Sequence, residues 1–349
     1  MRTKRRLLWL LALIGVLALA TVAAGCGGDD DDEEAGDTAA ATDTGEAAAG
    51  ADISVCLVTD IGGLNDRGFN SLANQGLERA ADELGVQTRV LESKSDQDYI
   101  PNLSQCAEDG NDLIISVGFL MGEATEKAAA EFPDATFAII DFAYEAPADN
   151  LQGLVFKEQE AGYLVGYLAG LVNESGTVSS VGGQKIPPVD RFIAGFRKGA
   201  ADAKPGITTL NGYSQDFVDQ AKCKEVALDQ IAKSSDVVFQ VAGGCGLGAL
   251  DAADEQSVWG IGVDADQGHL GDHVLTSALK KVDEAVFQTI EKAVNGEQVG
   301  GGTSVFGLAE EAVGLGETSP NVDAALVEQT EAQVQKIIDG EITVPETVG

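Results

Sequence analysis

Three carboxylates close apolar runs in this chain: Asp60 after "LVT", Asp141 after "FAII" and Asp264 after "IGV". An ionised carboxylate only accepts hydrogen bonds, so carboxylates at the ends of apolar runs suit a ligand rich in hydroxyl or N–H donors. Phe69 and Asn70 stand side by side in "LNDRGFN", soon after Asp60. An aromatic face stacks on a flat ring, and an amide distinguishes donor from acceptor on that ring's edge. Lys280 ends the run "HVLTSALK", and Gly243-Gly244 follow "VVFQVA". Each of these residues also has a structural use. Phe69 suits a helix-start staple, Asn70 and Asp66 suit helix caps, and Asp60 and Asp141 suit caps or solvated strand ends. Asp264 and Asp266 suit turns, and Lys280 suits a surface. Paired carboxylates do acid–base work in enzymes, nucleoside hydrolysis included. Against that stand only two histidines, His269 and His273, and no Gly-Lys-Ser/Thr phosphate loop. A His-based metal site or a Ser-His-Asp triad is hard to assemble from so few. The residues therefore point to binding without catalysis, and to no cofactor.

The elements that must position them alternate. Strand patterns at "DISVCLVTD", "VQTRVLES", "DLIISVG" and "TFAIID" are separated by helical patterns over 65–84, 99–108 and 122–131. Leu72, Leu77, Ala80 and Leu84 share one face of the first helix, and Pro101 sits in the first turn of the second. "LQGLVF" leads into a long helix over 158–172. A second series follows: "TVSSVG", a helix over 190–201, "ITTLNGY", a helix over 217–233, "DVVFQVAGG", a helix over 247–255 and "VWGIGVD". The strand 273–280, a helix over 282–295, a short strand over 305–308 and a helix over 324–339 complete the pattern. This reads as an α/β chain with two parallel-sheet halves in series. Ligands of such sheets sit beyond the carboxyl ends of the strands. Asp60, Asp141, Asp264 and the glycine pairs all fall there, so two facing halves would share one cleft.

The N-terminus has a different character. Arg2, Lys4, Arg5 and Arg6 precede an apolar run over 7–24, the layout of a secretory signal peptide over 1–25. "AAGC" then reads as a lipidation site, with Cys26 as the lipid-bearing residue of the mature chain. Six acids over 29–34 open an Ala/Gly/Thr/Asp-rich stretch to residue 50, too polar to bury a core and so a disordered tether. Removing the leader's four basic residues from 22 leaves 18 against 57 acidic ones, a net charge of −39. Such a surface is a poor partner for nucleic acid or anionic lipid. Four cysteines remain after Cys26: Cys56, Cys106, Cys223 and Cys245. An even number in an exported chain suggests disulfides. Three pairings are open. Cys56–Cys106 with Cys223–Cys245 is favoured because each bridge then closes within one compact segment.

Eight stretches carry a more specific signal: "LVTDIGGLNDRGFN", "VGFLMGEA", "FAIID", "FKEQEAGYLVGYLAG", "VGGQKIPPVDRFIAGFRKGA", "VVFQVAGGCGLG", "GIGVDADQ" and "VLTSALKKVDEAV". In these, and in their order, the chain resembles the basic membrane protein family of bacterial lipoproteins, the purine nucleoside receptors of ABC importers. The resemblance implies a type I periplasmic-binding fold, with two Rossmann-like lobes joined by three crossovers at about 151–157, 263–273 and 300–306. The lobes would comprise 51–153 with 273–302, and 154–272 with 303–349. It further implies that Phe69 stacks on the base, that Asp60 and Asn70 bond its edge, and that Asp141 is a further polar contact. Asp264 and Lys280 would hold the ribose, helped by the backbone amide near Gly244. Phe239 is the candidate for a second aromatic wall. The implied role is that of a monomeric, lipid-anchored receptor on the outer face of the cell membrane. It would close on a nucleoside and deliver it to permease and ATPase subunits. A flavin or another flat-ring solute, or a sensor uncoupled from transport, are the alternatives. The four cysteines after Cys26 depart from the family pattern.

Overall fold

The computed structural model describes residues 53–348. The leader, Cys26 and the acidic tether lie outside the described residues. The first series runs β1 (Ser54–Thr59), α1 (Phe69–Leu84), β2 (Gln87–Glu92), α2 (Tyr99–Glu108), β3 (Leu113–Val117), α3 (Gly122–Glu131), β4 (Thr136–Ile140) and β5 (Leu151–Phe156). The second runs α4 (Glu158–Val172), β6 (Thr177–Gly182), α5 (Pro187–Ala203), β7 (Thr208–Tyr213), α6 (Gln220–Ala232), β8 (Val237–Val241), α7 (Gly243–Glu255), β9 (Trp259–Asp264) and β10 (Val274–Lys280). Then come α8 (Val282–Val294), β11 (Gly302–Phe306), β12 (Val313–Leu315) and α9 (Ala324–Ile338).

Two six-stranded sheets result, ordered β11-β5-β4-β3-β1-β2 and β12-β10-β9-β8-β6-β7. Position for position the two orders match, so the halves share one topology up to the direction of the edge strand. All pairings are parallel except that of β10 with β12. The central strands are buried from end to end, as β3 and β8 show, because helices cover both faces. That is why these strands read as unbroken apolar runs and show no alternation.

The crossovers between lobes differ in part from the expectation. The chain passes from β5 in the first sheet to α4 against the second, as anticipated. The second passage lies at Lys280–Val282 instead of 263–273, because β10 pairs with β9 and stays in the second sheet. The chain then returns to the first lobe through α8, which packs on α1. The approach is close: a Cβ on Gly76 of α1 would stand 2.3 Å from the Asp283 carbonyl oxygen. The third passage follows β11, which pairs with β5 in the first sheet, and leads to β12 in the second. Residues 274–280 therefore belong to the second lobe, and 302–306 to the first.

Both favoured disulfides are present. Cys56–Cys106 ties β1 to α2, and Cys223–Cys245 ties α6 to α7, with Cα separations of 5.9 and 5.6 Å in the ordinary range. With the partners 50 and 22 positions apart in sequence, the chain-entropy account gives contributions of about 4 and 3 kcal/mol.

Candidate functional site

In each sheet the strand order reverses beside the first strand of the series, between β1 and β3 and between β6 and β8. Strand ends diverge at such a switch point and leave a crevice. The two crevices face each other across one cavity. Asp60 and Gly118 border it on one side, Val241 to Gly244 and Asp264 on the other. Counting its open mouth, the empty space is about 600 Å3.

The first wall is built around Asp66. Its Oδ1 accepts from the backbone N–H of Gly68 and Ser71, both at 3.1 Å, and its Oδ2 from that of Asn70 at 2.7 Å. Asp66 thus caps α1, whose first N–H groups have no partner within the helix. Asn70 is not the cap. Its Nδ2 donates to Asp60 Oδ1 at 3.0 Å and to Asp66 Oδ2 at 3.1 Å. Asp60 Oδ1 also accepts from the Gly62 N–H at 2.9 Å. Across from Asp60 Oδ2 lies Gly118, at φ 116°, where a Cβ would come within 2.6 Å. Phe69, the first residue of α1, turns its half-buried ring to the cavity.

Asp141 follows β4 and Asp264 ends β9. Both take left-handed backbone angles, φ 74° and 64°, a conformation Asp tolerates better than most residues and one that recurs at functional sites. Asp264 lines the cavity, 8% exposed, and no described residue donates a hydrogen bond to its carboxylate. Asp141 differs: both its oxygens accept from Lys280 Nζ, at 2.6 and 2.7 Å. Lys280 also donates to Glu158 Oε1 at 3.0 Å, and Glu158 Oε2 accepts from Arg191 at 3.3 Å. The ammonium lies 5.0 Å from the Phe69 ring centroid and 4.9 Å from that of Phe156. Lys280 lines the cavity, but its bonds go to Asp141 and Glu158 and not to Asp264. The resemblance assigned it a direct hold on the ligand. The geometry makes it first the residue that fixes Asp141.

Burial sets the charge states. Desolvation pushes Asp264 up to about 7, with Lys280 pulling the other way. Desolvation likewise raises Asp60 to about 6, against the bonds from Gly62 and Asn70. Burial pushes Asp141 up against the pull of Lys280. For Lys280 itself desolvation acts downward, but Asp141, Glu158 and Asp264 outweigh it, so the ammonium stays charged.

The second wall corrects one expectation. Phe239 is fully buried inside β8 and packs on Phe196 and Phe192, at centroid distances of 5.2 and 6.1 Å. It supports the cavity from one layer behind and does not line it. The aromatics that do face the cavity from this lobe are Phe192 of α5 and Phe217 of the loop before α6. Phe217 is seated by its carbonyl, which accepts from the Cys245 N–H at 2.9 Å. Gly244 borders the cavity as anticipated. Sequence reasoning missed Glu158, Phe192 and Phe217. Glu158 lay in the quoted "FKEQEAG" and Phe192 in "VDRFIAGF", so only their roles were unread. Phe217 had no signal beyond its type.

Comparison with known proteins agrees with this architecture. A protein from Listeria innocua described as a CD4+ T-cell-stimulating antigen is 33% identical over 96% of this chain and 98% of its own. The ABC transporter nucleoside-binding protein BmpA of Lactococcus lactis is 32% identical over 84% of this chain and 89% of its own. Among solved structures, an ABC transporter solute-binding protein from Aeropyrum pernix superposes with a TM-score of 0.77 at 29% identity, covering 84% of this chain and 94% of that one. Residues 53–348 match the Bmp model of PnrA-like ABC transporter substrate-binding proteins, and the chain belongs to that family.

Proposed function

We propose that this protein is an extracytoplasmic nucleoside receptor, anchored by lipid at Cys26, that delivers its ligand to an ABC permease and ATPase. The observation that carries the reading is the pairing, in one cavity, of aromatic faces from both lobes with the unpartnered carboxylate of Asp264. A flat base gains roughly 1–3 kcal/mol from a good aromatic stack. A ribose diol presents two donors, and one carboxylate accepts both. Asp60, Asp66 and Asp264 line the cavity, and the lining cation Lys280 is already paired with Asp141 and Glu158, so a phosphate on the ligand is repelled and a nucleoside is favoured over its nucleotide. Hinge closure would bury the ligand, and the closed form is what a permease recognises. The name of the Lactococcus relative supports the ligand class, and lipoprotein names among relatives such as the Pyrococcus furiosus one support the anchor.

The test is thermal shift and calorimetry on the purified protein with a panel of nucleosides, their 5′-monophosphates and riboflavin. Stabilisation by at least one nucleoside, with the matching monophosphate at least a hundredfold weaker, is expected. No response to any nucleoside overturns the reading, and a response to riboflavin alone replaces it with the flavin one. Mass spectrometry of the membrane fraction tests for a diacylglyceryl group on Cys26.

A further inference from the structure

The edge of the cavity beside Phe69 has an unusual hydrogen-bonding inventory. Both amide hydrogens of Asn70 are held by carboxylates, Asp60 and Asp66. That fixes the amide orientation, because the flipped group would turn its carbonyl oxygen toward two carboxylates. Asn70 Oδ1 is left buried, with no hydrogen bond from any described residue. Asp60 repeats the pattern. Its Oδ1 takes the bonds from Gly62 and Asn70, while no described residue donates to its Oδ2. The space in front of Oδ2 is kept clear by Gly118, the glycine on which any Cβ would strike that oxygen. Buried acceptors without donors are costly, by about 1–3 kcal/mol each, and are rare in folded proteins. Asn70 Oδ1 is one such acceptor; together with Asp60 Oδ2, which borders the cavity and takes no bond from a described residue, it is most simply explained as the complement of a ligand edge that carries two donors.

We infer that the site selects a base with two adjacent N–H donors on its ring edge, a 2-amino-6-oxopurine, over a 6-aminopurine. This deepens the nucleoside reading and rests on it. The N1–H and exocyclic N2–H2 of such a base would meet Asp60 Oδ2 and Asn70 Oδ1. A 6-aminopurine offers one donor beside a ring-nitrogen acceptor, and that acceptor would face an acceptor. A flavin offers one N–H between two carbonyl oxygens, so two lone-pair clashes flank its one bond. Sites built to bond a polar group reject the analogue that lacks it strongly, because their own buried groups are then left unpaired.

Isothermal titration at pH 8 with guanosine, inosine and adenosine tests this on the wild-type protein. Guanosine is expected to bind tightest, inosine more weakly for want of the 2-amino group, and adenosine at least tenfold more weakly than guanosine. Asp60→Asn supplies a second arm. The new side chain can still accept from Gly62 and Asn70 but presents an N–H2 where Oδ2 was, a donor beside the Asn70 acceptor. The guanosine-to-adenosine affinity ratio should fall at least tenfold or invert, with the ligand-free melting temperature confirming a folded variant. Equal or tighter binding of adenosine by the wild type overturns the inference, as does an unchanged ratio in a folded Asp60→Asn. Binding of no nucleoside at all overturns the nucleoside reading with it, so the two failures are distinct. Should Asp60→Asn not fold, the wild-type ligand series decides alone.

Discussion

At the scale of single residues, Asp264 is the clearest case of a group held ready for something outside the protein. It is buried, takes a left-handed backbone and has no donor among the described residues. Asparagine tolerates that backbone and alanine does so poorly, so Asp264→Asn is the informative change. It should weaken nucleoside binding about 10- to 100-fold in calorimetry, the loss of roughly 1.5–3 kcal/mol for a charge-assisted bond. The folded pKa of about 7 lies above the unfolded value near 4. The contribution of Asp264 to stability is therefore full below about pH 4 and is lost as pH rises through about 7. Ligand-free protein should melt at a lower temperature at pH 8 than at pH 5, and Asp264→Asn should shrink that difference. Binding runs the other way, because the diol needs the ionised form: affinity should fall as pH drops below about 7. A second pair of variants separates wall from support. Phe217→Ala should cost roughly 1–3 kcal/mol of binding, whereas Phe239→Leu should leave affinity within a few-fold and lower stability by about 1 kcal/mol. The sequence could not make this distinction. β8 is covered on both faces, so "VVFQV" has no alternation to tell which way Phe239 points.

At the scale of elements, the second wall stands on the way α4 and α5 meet. Glycines fall every four residues in α4, at 162, 166 and 170, and α5 answers with Gly195 and Gly199. A Cβ on Gly162 would stand 2.2 Å from the Phe192 carbonyl oxygen, and one on Gly166 2.1 Å from that of Phe196. From the other side, a Cβ on Gly195 would stand 2.1 Å from the Gln159 carbonyl oxygen. The two backbones therefore touch, and Phe192 and Arg191 are placed by that contact. Gly166→Ala forces the helices apart and should destabilise by about 1–3 kcal/mol in chemical denaturation, even though alanine is the better helix former. Gly162→Ala, beside Phe192, should lower nucleoside affinity as well. Most of these elements were legible beforehand: the ranges expected for α2, α3, α4 and β5 are those observed. Alternating strand and helix signals, with Pro at first turns, carry that much locally. The membership of β10 was not legible. Two halves with the same topology produce the same local pattern, and which sheet a strand joins is decided by pairing with residues distant in sequence. β12, three residues long, is too short to show a period. α7 begins earlier than its apolar pattern implies because Gly243 and Gly244 form its first turn.

At the scale of the whole molecule, the two lobes meet through one buried charge network. Lys280 ends a strand of the second sheet, and Asp141 follows a strand of the first. Their ion pair crosses from lobe to lobe beside the chain's second passage, with Glu158 and Arg191 completing it from α4 and α5. Removing one member of a buried pair leaves the others charged and unpaired, which typically costs 3–5 kcal/mol, while replacing both with apolar groups of similar size is often near neutral. Lys280→Met should therefore lower stability by about 3–5 kcal/mol, and adding Asp141→Asn, which removes the stranded charge and tolerates the left-handed backbone, should restore part of it, with Glu158 still held by Arg191. The network also spans the cleft, so its loss acts on shape as well as on stability. In small-angle scattering the ligand-free Lys280→Met protein should have a larger radius of gyration than the wild type, because nothing then ties Asp141 to the second lobe. A saturating nucleoside should compact the wild type and do so less in the variant. If instead the variant is destabilised and scatters like the wild type in both states, the ion pair holds the core at the crossover and has no part in closure.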